Sequence, residues 1–73
     1  MKLPTDISGQ ELVKVLLRMG FVVSRQRGSH IVLRRDSPYA RVVVPDHKQV
    51  RAGTLRKILN EAGMTVEQLL DLR

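Results

Sequence analysis

The sequence predicts an α+β two-layer sandwich, in which a three-stranded antiparallel sheet carries helices on one face in the order α-β-β-β-α-α. Apolar residues recur with helical spacing near both ends of the chain, and three β-rich runs lie between them. The 73 residues allow one domain, which we expect to span residues 1–73. Because a domain of this size buries only about 60% of the surface that its unfolded chain exposes, any functional site must be shallow. A deep cavity for a large cofactor is therefore not expected.

The first helix is predicted over Gly9–Met19. Ser8 and Glu11 form a capping-box pattern, in which the Ser8 hydroxyl accepts a hydrogen bond from the Glu11 amide and the Glu11 side chain reaches back. Gly20 stands where a left-handed C-terminal cap is expected. The apolar residues between these signals keep helical spacing and are predicted to face the core: Leu12, Val15, Leu16 and Met19.

The remaining elements are three strands and two helices. The β-rich runs predict strands over Phe21–Arg25, Ser29–Arg34 and Tyr39–Val44. After a polar loop, a second helix is predicted over Gly53–Ala62 and is ended by Gly63. Thr65 and Gln68 form a second capping box, which opens a short third helix that runs through Leu72.

The length of the turn between the first two strands decides which side chains share a face of the sheet. A two-residue turn at Arg27-Gly28 would place Val23 opposite Val32. A three-residue loop that ends with Gly28 in the left-handed conformation would place Val23 opposite Ile31. We expect the second, because it separates an apolar face from a polar one. The apolar face then comprises Phe21, Val23, Ile31 and Leu33, and the polar face comprises Ser24, His30 and Arg34.

The charge of the chain indicates a polyanionic partner. The formal net charge is +6, and the stretch from Lys14 to Lys57 contains eleven basic residues against only Asp36 and Asp46. Nine of the thirteen cations in the chain are arginines, whose planar guanidinium groups suit bidentate contacts with phosphate. Nucleic acid is therefore the leading candidate partner.

The composition also excludes several kinds of chemistry and location. Without cysteine the chain has no disulfide, thiolate zinc site or thiol nucleophile, and its two histidines lack metal-ligand spacing. We therefore expect neither a metal nor another cofactor. No apolar run approaches the roughly 18 residues that a membrane span requires, and the first residues lack the apolar core of a signal peptide. A cytoplasmic protein is expected.

His30 is the strongest candidate for a catalytic residue, because it starts the second strand on the sheet face that the helices leave open. RNA supplies its own nucleophile in the 2′-hydroxyl, so metal-free cleavage requires only a base, an acid and groups that stabilise charge at phosphorus. Arginines on both sides of His30 would stabilise that charge, and Gly28 would permit close approach of the backbone. The alternative is an indifferent histidine on the protein surface.

Phosphate contacts are expected around the turn before His30 and at the start of the second helix. Thr54 follows Gly53 there, where free backbone amides favour an anion. His47 lies in the loop after the third strand, and its alternative role is a loop residue hydrogen-bonded to Asp46 or to the backbone. The candidate RNA-binding residues are Arg25, Arg27, Gly28, Ser29, Arg34, His47, Lys48, Arg51, Thr54, Arg56 and Lys57.

Several short motifs of the chain, taken together, resemble the HicA family of toxin ribonucleases. They are Gly28-Ser29-His30 after Gly20-Phe21, then Val44-Pro45-Asp46-His47, then Gly53-Thr54-Leu55, and finally Ala62-Gly63. The resemblance runs in order from Ser8 to Leu70. It implies a double-stranded-RNA-binding-like fold and an mRNA-cleaving toxin that inhibits translation and is neutralised by a HicB-type antitoxin. The catalytic histidine of the family corresponds to His30.

Two other functions are open to a small basic domain. A non-catalytic RNA-binding module would use the cations at the start of the second helix, where Arg56 and Lys57 lie. A helix-turn-helix DNA binder is less favoured, because its recognition helix would carry Glu67 and Asp71 and would repel phosphate. Incubation with single-stranded RNA in EDTA distinguishes a metal-free nuclease from a module that only binds.

Overall fold

The computed structural model describes residues 2–73 and has the predicted order of elements. The helices are α1 (Gly9–Arg18), α2 (Ala52–Ala62) and α3 (Val66–Leu72). The strands are β1 (Val22–Arg27), β2 (His30–Asp36) and β3 (Tyr39–Pro45). They form one antiparallel sheet in the order β1-β2-β3, so that β3 is an edge strand. The predicted α+β fold is confirmed.

One hydrophobic core lies between the sheet and the three helices. Ile31, Leu33 and Val42 enter it from the strands, and the apolar sides of all three helices face them. The most deeply buried large side chains are Ile7, Leu12, Leu16, Phe21, Leu33, Leu55, Ile58 and Leu69. Because every helix packs on this one side, the other face of the sheet stays open. Among residues 2–73, no helix combines the length and the apolar character needed to cross a bilayer.

Local capping signals set the helix ends close to their predicted positions. The Ser8 hydroxyl accepts from the Glu11 amide at 3.1 Å, but the Glu11 carboxylate accepts from the Arg73 guanidinium instead of completing the box. These hydrogen bonds from Arg73 to Glu11, with a second set to Asp6, raise the pKa of the guanidinium. Thr65 completes its box with Gln68 as predicted.

The pairing of β1 with β2 differs from both predicted turns. The turn comprises Gly28 and Ser29, and Arg27 pairs with His30. Gly28 has a φ of 57°, and positive φ at only the first of two turn residues is typical of a type II′ hairpin. This turn lengthens β1 to Arg27, so two further pairs of residues join the ladder.

A β-bulge between Val23 and Arg25 adds one residue to β1, and the longer ladder is thereby compatible with the packing of the core. The turn alone puts Arg25 and Arg27 on the same side of the sheet as His30, and the extra residue then changes the alternation so that Val23 pairs with Leu33. Val23 therefore shares a face with Leu33, as predicted, but it is 46% exposed and does not belong to the buried core. Ile31 and Leu33 are buried, as predicted, and His30 and Arg34 are exposed.

Arg35 belongs to the helix side of the sheet, unlike the other arginines of the strands. Its guanidinium lies 4.6 Å from the centre of the Phe21 ring. It also donates to the carbonyl oxygens of Met19, Pro38 and Ala62 at 3.4, 3.0 and 3.4 Å. Two of these carbonyls lie at the C-terminal ends of α1 and α2, where a cation is favourable. One of the eleven cations in the basic stretch therefore has a structural role.

Candidate nucleic-acid interface

The open face of the sheet presents a positively charged surface. Residues paired across neighbouring strands share a face, so this surface consists of rows that cross the three strands. The rows are Arg27-His30-Pro45, Arg25-Val32-Val43 and Val22-Arg34-Arg41. Neighbouring rows lie about 7 Å apart, the length of two residues along a strand. His30 thus has Arg27 directly opposite it, and further arginines lie in the next two rows.

This surface carries little compensating negative charge. The Arg34 Nε lies 3.4 Å from a carboxylate oxygen of Asp36, but both side chains are at least half exposed, so the pair is weak. Val32 fills the centre of the surface and is only 7% exposed, because Arg25 and Val43 flank it. The surface is therefore cationic, with a well-packed centre.

A groove of about 620 Å³ begins at His30 and continues along edge strand β3 to α2. Its volume lies within the range of small-ligand pockets. The strands contribute His30, Arg41, Val43 and Pro45; the loop after β3 contributes His47, Gln49 and Arg51; and α2 contributes Thr54, Lys57, Ile58 and Glu61. The groove thus combines two imidazoles, three permanent cations, one carboxylate and a partly apolar floor.

Backbone hydrogen bonds hold the loop after β3 against the turn before β2. The Asp46 amide donates to the Ser29 carbonyl oxygen at 2.6 Å, and the Gly9 amide donates to the His47 carbonyl oxygen at 2.9 Å. The Gln10 amide group donates to the Asp46 carboxylate at 3.0 Å. Three separate parts of the chain therefore fix the positions of the backbone beside His30 and His47.

Gly9 is the residue that lets these parts of the chain meet. A Cβ atom at Gly9 would lie 2.0 Å from the Pro45 carbonyl oxygen, far closer than any normal contact. The N-terminus of α1 can therefore contact the loop backbone only where no side chain is present. In the sequence, Gly9 is marked only as the first residue of the predicted helix.

The structure brings together five of the twelve predicted site residues. His30, His47, Arg51, Thr54 and Lys57 line the groove. Arg25, Arg27 and Arg34 lie beside it on the open sheet face, and Gly28 and Ser29 form the turn next to His30. Lys48 and Arg56 are exposed, on the loop after β3 and on α2, but they do not line the groove.

Sequence reasoning missed three polar residues of the groove: Arg41, Gln49 and Glu61. Arg41 alternates with the buried Ala40 and Val42, so period-two alternation along β3 would have assigned it to the open face. Glu61 follows Lys57 by four residues on α2, which places both on one side of the helix. Gln49 lies in an irregular loop, and no sequence pattern identifies it.

The N-terminus of α2 also faces the groove. Its first residues follow Arg51, whose side chain makes no capping hydrogen bond, and no acidic residue lies in the first turn. Thr54, in that turn, lines the groove. The positive end of the helix dipole therefore adds to the charge of the neighbouring cations.

A small basic α+β domain with a cationic sheet face and an adjoining groove has features typical of nucleic-acid-binding proteins. The family model described as "HicA toxin of bacterial toxin-antitoxin" matches residues 9–64, well over half of the 73-residue chain. The chain belongs to this family, and it is a toxin of the toxin–antitoxin type. A search of the curated proteins found no match.

Proposed function

We propose that this toxin is a metal-independent endoribonuclease that cleaves mRNA, with His30 as the general base. The observation that carries the proposal is the position of His30: its exposed imidazole lies where the cationic sheet face meets the groove. No substrate pocket of greater depth is needed, because RNA brings its nucleophile with it.

The reaction begins when the His30 imidazole takes the proton of a ribose 2′-hydroxyl. The 2′-oxygen attacks the adjacent phosphorus, and the bond from phosphorus to the 5′-oxygen of the next nucleotide breaks. Negative charge grows on the phosphoryl oxygens during this step. Arginine and lysine side chains held beside the groove lower its energy electrostatically, and no change in their protonation is required.

The RNA path follows the two cationic surfaces that converge on His30. Arg25, Arg27 and Arg34 contact phosphates across the sheet, with the Gly28-Ser29 turn beside the cleaved linkage. At the other side, the loop and α2 contribute the remaining contacts, through His47, Lys48, Arg51, Thr54, Arg56 and Lys57. We add Arg41 to this set because it connects the sheet face to the groove. The proposed substrate on this path is a single RNA strand.

A HicB-type antitoxin is the proposed protein partner. A basic surface attracts an acidic partner and accelerates association by electrostatic steering. A partner that covers His30 or the N-terminal part of α2 would block the same RNA strand. We therefore expect the protein encoded by the neighbouring gene to compete with RNA, and cleavage that continues in the saturated complex would contradict this masking.

The proposal is tested by incubating the purified protein with single-stranded mRNA in excess EDTA. The wild type is expected to cleave, and His30→Ala is expected to lower the rate by about 10²–10⁴-fold, the usual contribution of a general base. Lys14→Ala, an exposed change on α1 outside the groove, is the matched control and should leave the rate unchanged. Thermal denaturation of each variant verifies the fold.

Two outcomes would contradict the proposal. A folded His30→Ala protein that cleaves at the wild-type rate would remove His30 from the reaction. Wild-type protein that binds RNA tightly without cleaving it would instead indicate the non-catalytic RNA-binding module.

A further inference from the structure

The groove contains two imidazoles, and the reaction described above uses only one of them. His47 lines the same groove as His30 and is likewise exposed. The Asp46 carboxylate, the nearest partner along the chain, accepts from the Gln10 side chain instead. The His47 imidazole is thus oriented by neither Asp46 nor burial, and it remains available to a ligand in the groove.

The backbone places the two histidines at neighbouring points. The 2.6 Å hydrogen bond from the Asp46 amide to the Ser29 carbonyl joins the residue before His47 to the residue before His30. Pro45, two residues before His47, pairs directly with His30 in the sheet. The bond from the Gly9 amide fixes the His47 carbonyl from the opposite side. The backbone segments that carry the two histidines are therefore hydrogen-bonded to each other, and both imidazoles line one groove.

Resting on the proposed nuclease function, we infer that His47 is the general acid of the reaction. As the bond from phosphorus to the 5′-oxygen breaks, the protonated His47 imidazole donates its proton to that oxygen. His30 has meanwhile received the proton of the 2′-hydroxyl. The products are a 2′,3′-cyclic phosphate and a free 5′-hydroxyl, so one proton is taken up and one is given, and no co-reactant is consumed.

The other polar groups of the groove suit this step less well. An ammonium group is a poor proton donor near neutral pH, whereas an imidazole serves both as an acid and as a base there. A carboxylate group accepts hydrogen bonds and protons and does not donate them. Guanidinium groups stabilise charge and donate hydrogen bonds but do not serve as general acids. The imidazole of His47 is therefore the group in the groove that is chemically suited to protonate the leaving oxygen.

The experiment compares two leaving groups at one linkage. The linkage that the wild type cleaves is first mapped on mRNA, and a short oligonucleotide is made around it. A second oligonucleotide carries sulfur in place of the bridging 5′-oxygen, and this thiolate leaves without being protonated. Each substrate is cleaved by the wild type, by His47→Gln, by His30→Gln and by the control Lys14→Gln.

His47→Gln is expected to cleave the oxygen substrate about 10²–10⁴-fold more slowly than the wild type but to cleave the sulfur substrate at close to the wild-type rate. His30→Gln should be slow on both, because the base is needed for either leaving group. Binding of an oligonucleotide with a 2′-deoxy residue at the cleaved position shows whether His47→Gln still folds and binds RNA.

Three results would overturn the inference. Equal losses on both substrates would show that His47 is only an RNA contact and not the general acid, and wild-type rates on both would remove it from the reaction. If His47→Gln behaves in either way while His30→Gln is slow on both, the nuclease proposal stands and only the role of His47 fails. A wild type that cleaves neither substrate would refute the nuclease proposal and this inference together.

Discussion

Replacing Gly9 with alanine tests whether the close approach of α1 to the loop after β3 holds the groove together. The added Cβ would lie 2.0 Å from the Pro45 carbonyl oxygen and 3.1 Å from the Asp46 Cα. Both atoms belong to the backbone, so no rotation of a side chain relieves the clash. Gly9 does not have a positive φ, and the expected effect is therefore one of space alone.

The loss of stability in Gly9→Ala can be estimated from the backbone that must move to relieve the clash. Overpacking of this kind typically costs about 1–3 kcal/mol. Displacing the loop also breaks the bond from the Gly9 amide to the His47 carbonyl, which contributes about 0.5–1.5 kcal/mol. The higher helix propensity of alanine offsets up to about 1 kcal/mol of this loss in the free energy of unfolding. The net loss is about 2 kcal/mol, and for a domain of this size it lowers Tm by about 8–16 °C.

Circular dichroism during heating measures this loss, and Gly53→Ala is the matched control. Gly53 also lies in the first turn of a helix, but no atom lies within 4 Å of its added Cβ. Gly53→Ala is therefore expected to keep or slightly raise Tm. A Gly9→Ala protein as stable as the wild type would refute the reasoning. Because the displaced loop carries His47, RNA cleavage should also fall at temperatures where Gly9→Ala remains folded.

Two further predictions concern the arginines. Arg35→Met removes a cation that lies over Phe21 and at two helix C-termini. We expect urea denaturation to show that the free energy of unfolding falls by about 1–2 kcal/mol. The control Arg34→Met, at an exposed position, should stay within about 0.5 kcal/mol of the wild type. Arg41→Ala should reduce the slope of log affinity for non-cleavable RNA against log salt by about 0.7, the value for one phosphate contact on a single strand, whereas Lys14→Ala should not change this slope. Equal losses of stability from Arg34→Met and Arg35→Met would contradict the role of Arg35. Equal slopes for Arg41→Ala and the wild type would contradict the role of Arg41.

Signals that act over a few residues predicted most of the secondary structure. Ser8 and Thr65 marked the starts of helices, and Gly63 marked the end of α2 with the expected left-handed conformation. These signals are reliable because each depends on a hydrogen bond or a backbone conformation within one turn of chain. The exposure of His30 and the family were also predicted before the structure was considered, and both are confirmed.

The pairing of β1 with β2 was predicted wrongly for a reason that is not local. The prediction assumed a regular ladder, and under that assumption only the three-residue loop put Val23 on the same face as Ile31 and Leu33. The ladder is not regular, because the bulge before Arg25 adds one residue and changes the alternation. No sequence motif marks this point. The observed turn by itself places Arg25 and Arg27 on the same face as His30, and the bulge beyond them places Val23 opposite Leu33.

The sequence by itself determined the elements, their order, the basic charge and the family of this protein. Only the tertiary structure decided that His47, Arg41 and Glu61 share a groove with His30, and that Arg35 supports the core instead of the sheet face. These residues come from a strand, a loop and a helix whose meeting depends on packing between distant parts of the chain. Gly9 shows the reason most clearly: its importance arises from a backbone atom 36 residues away along the chain, at Pro45.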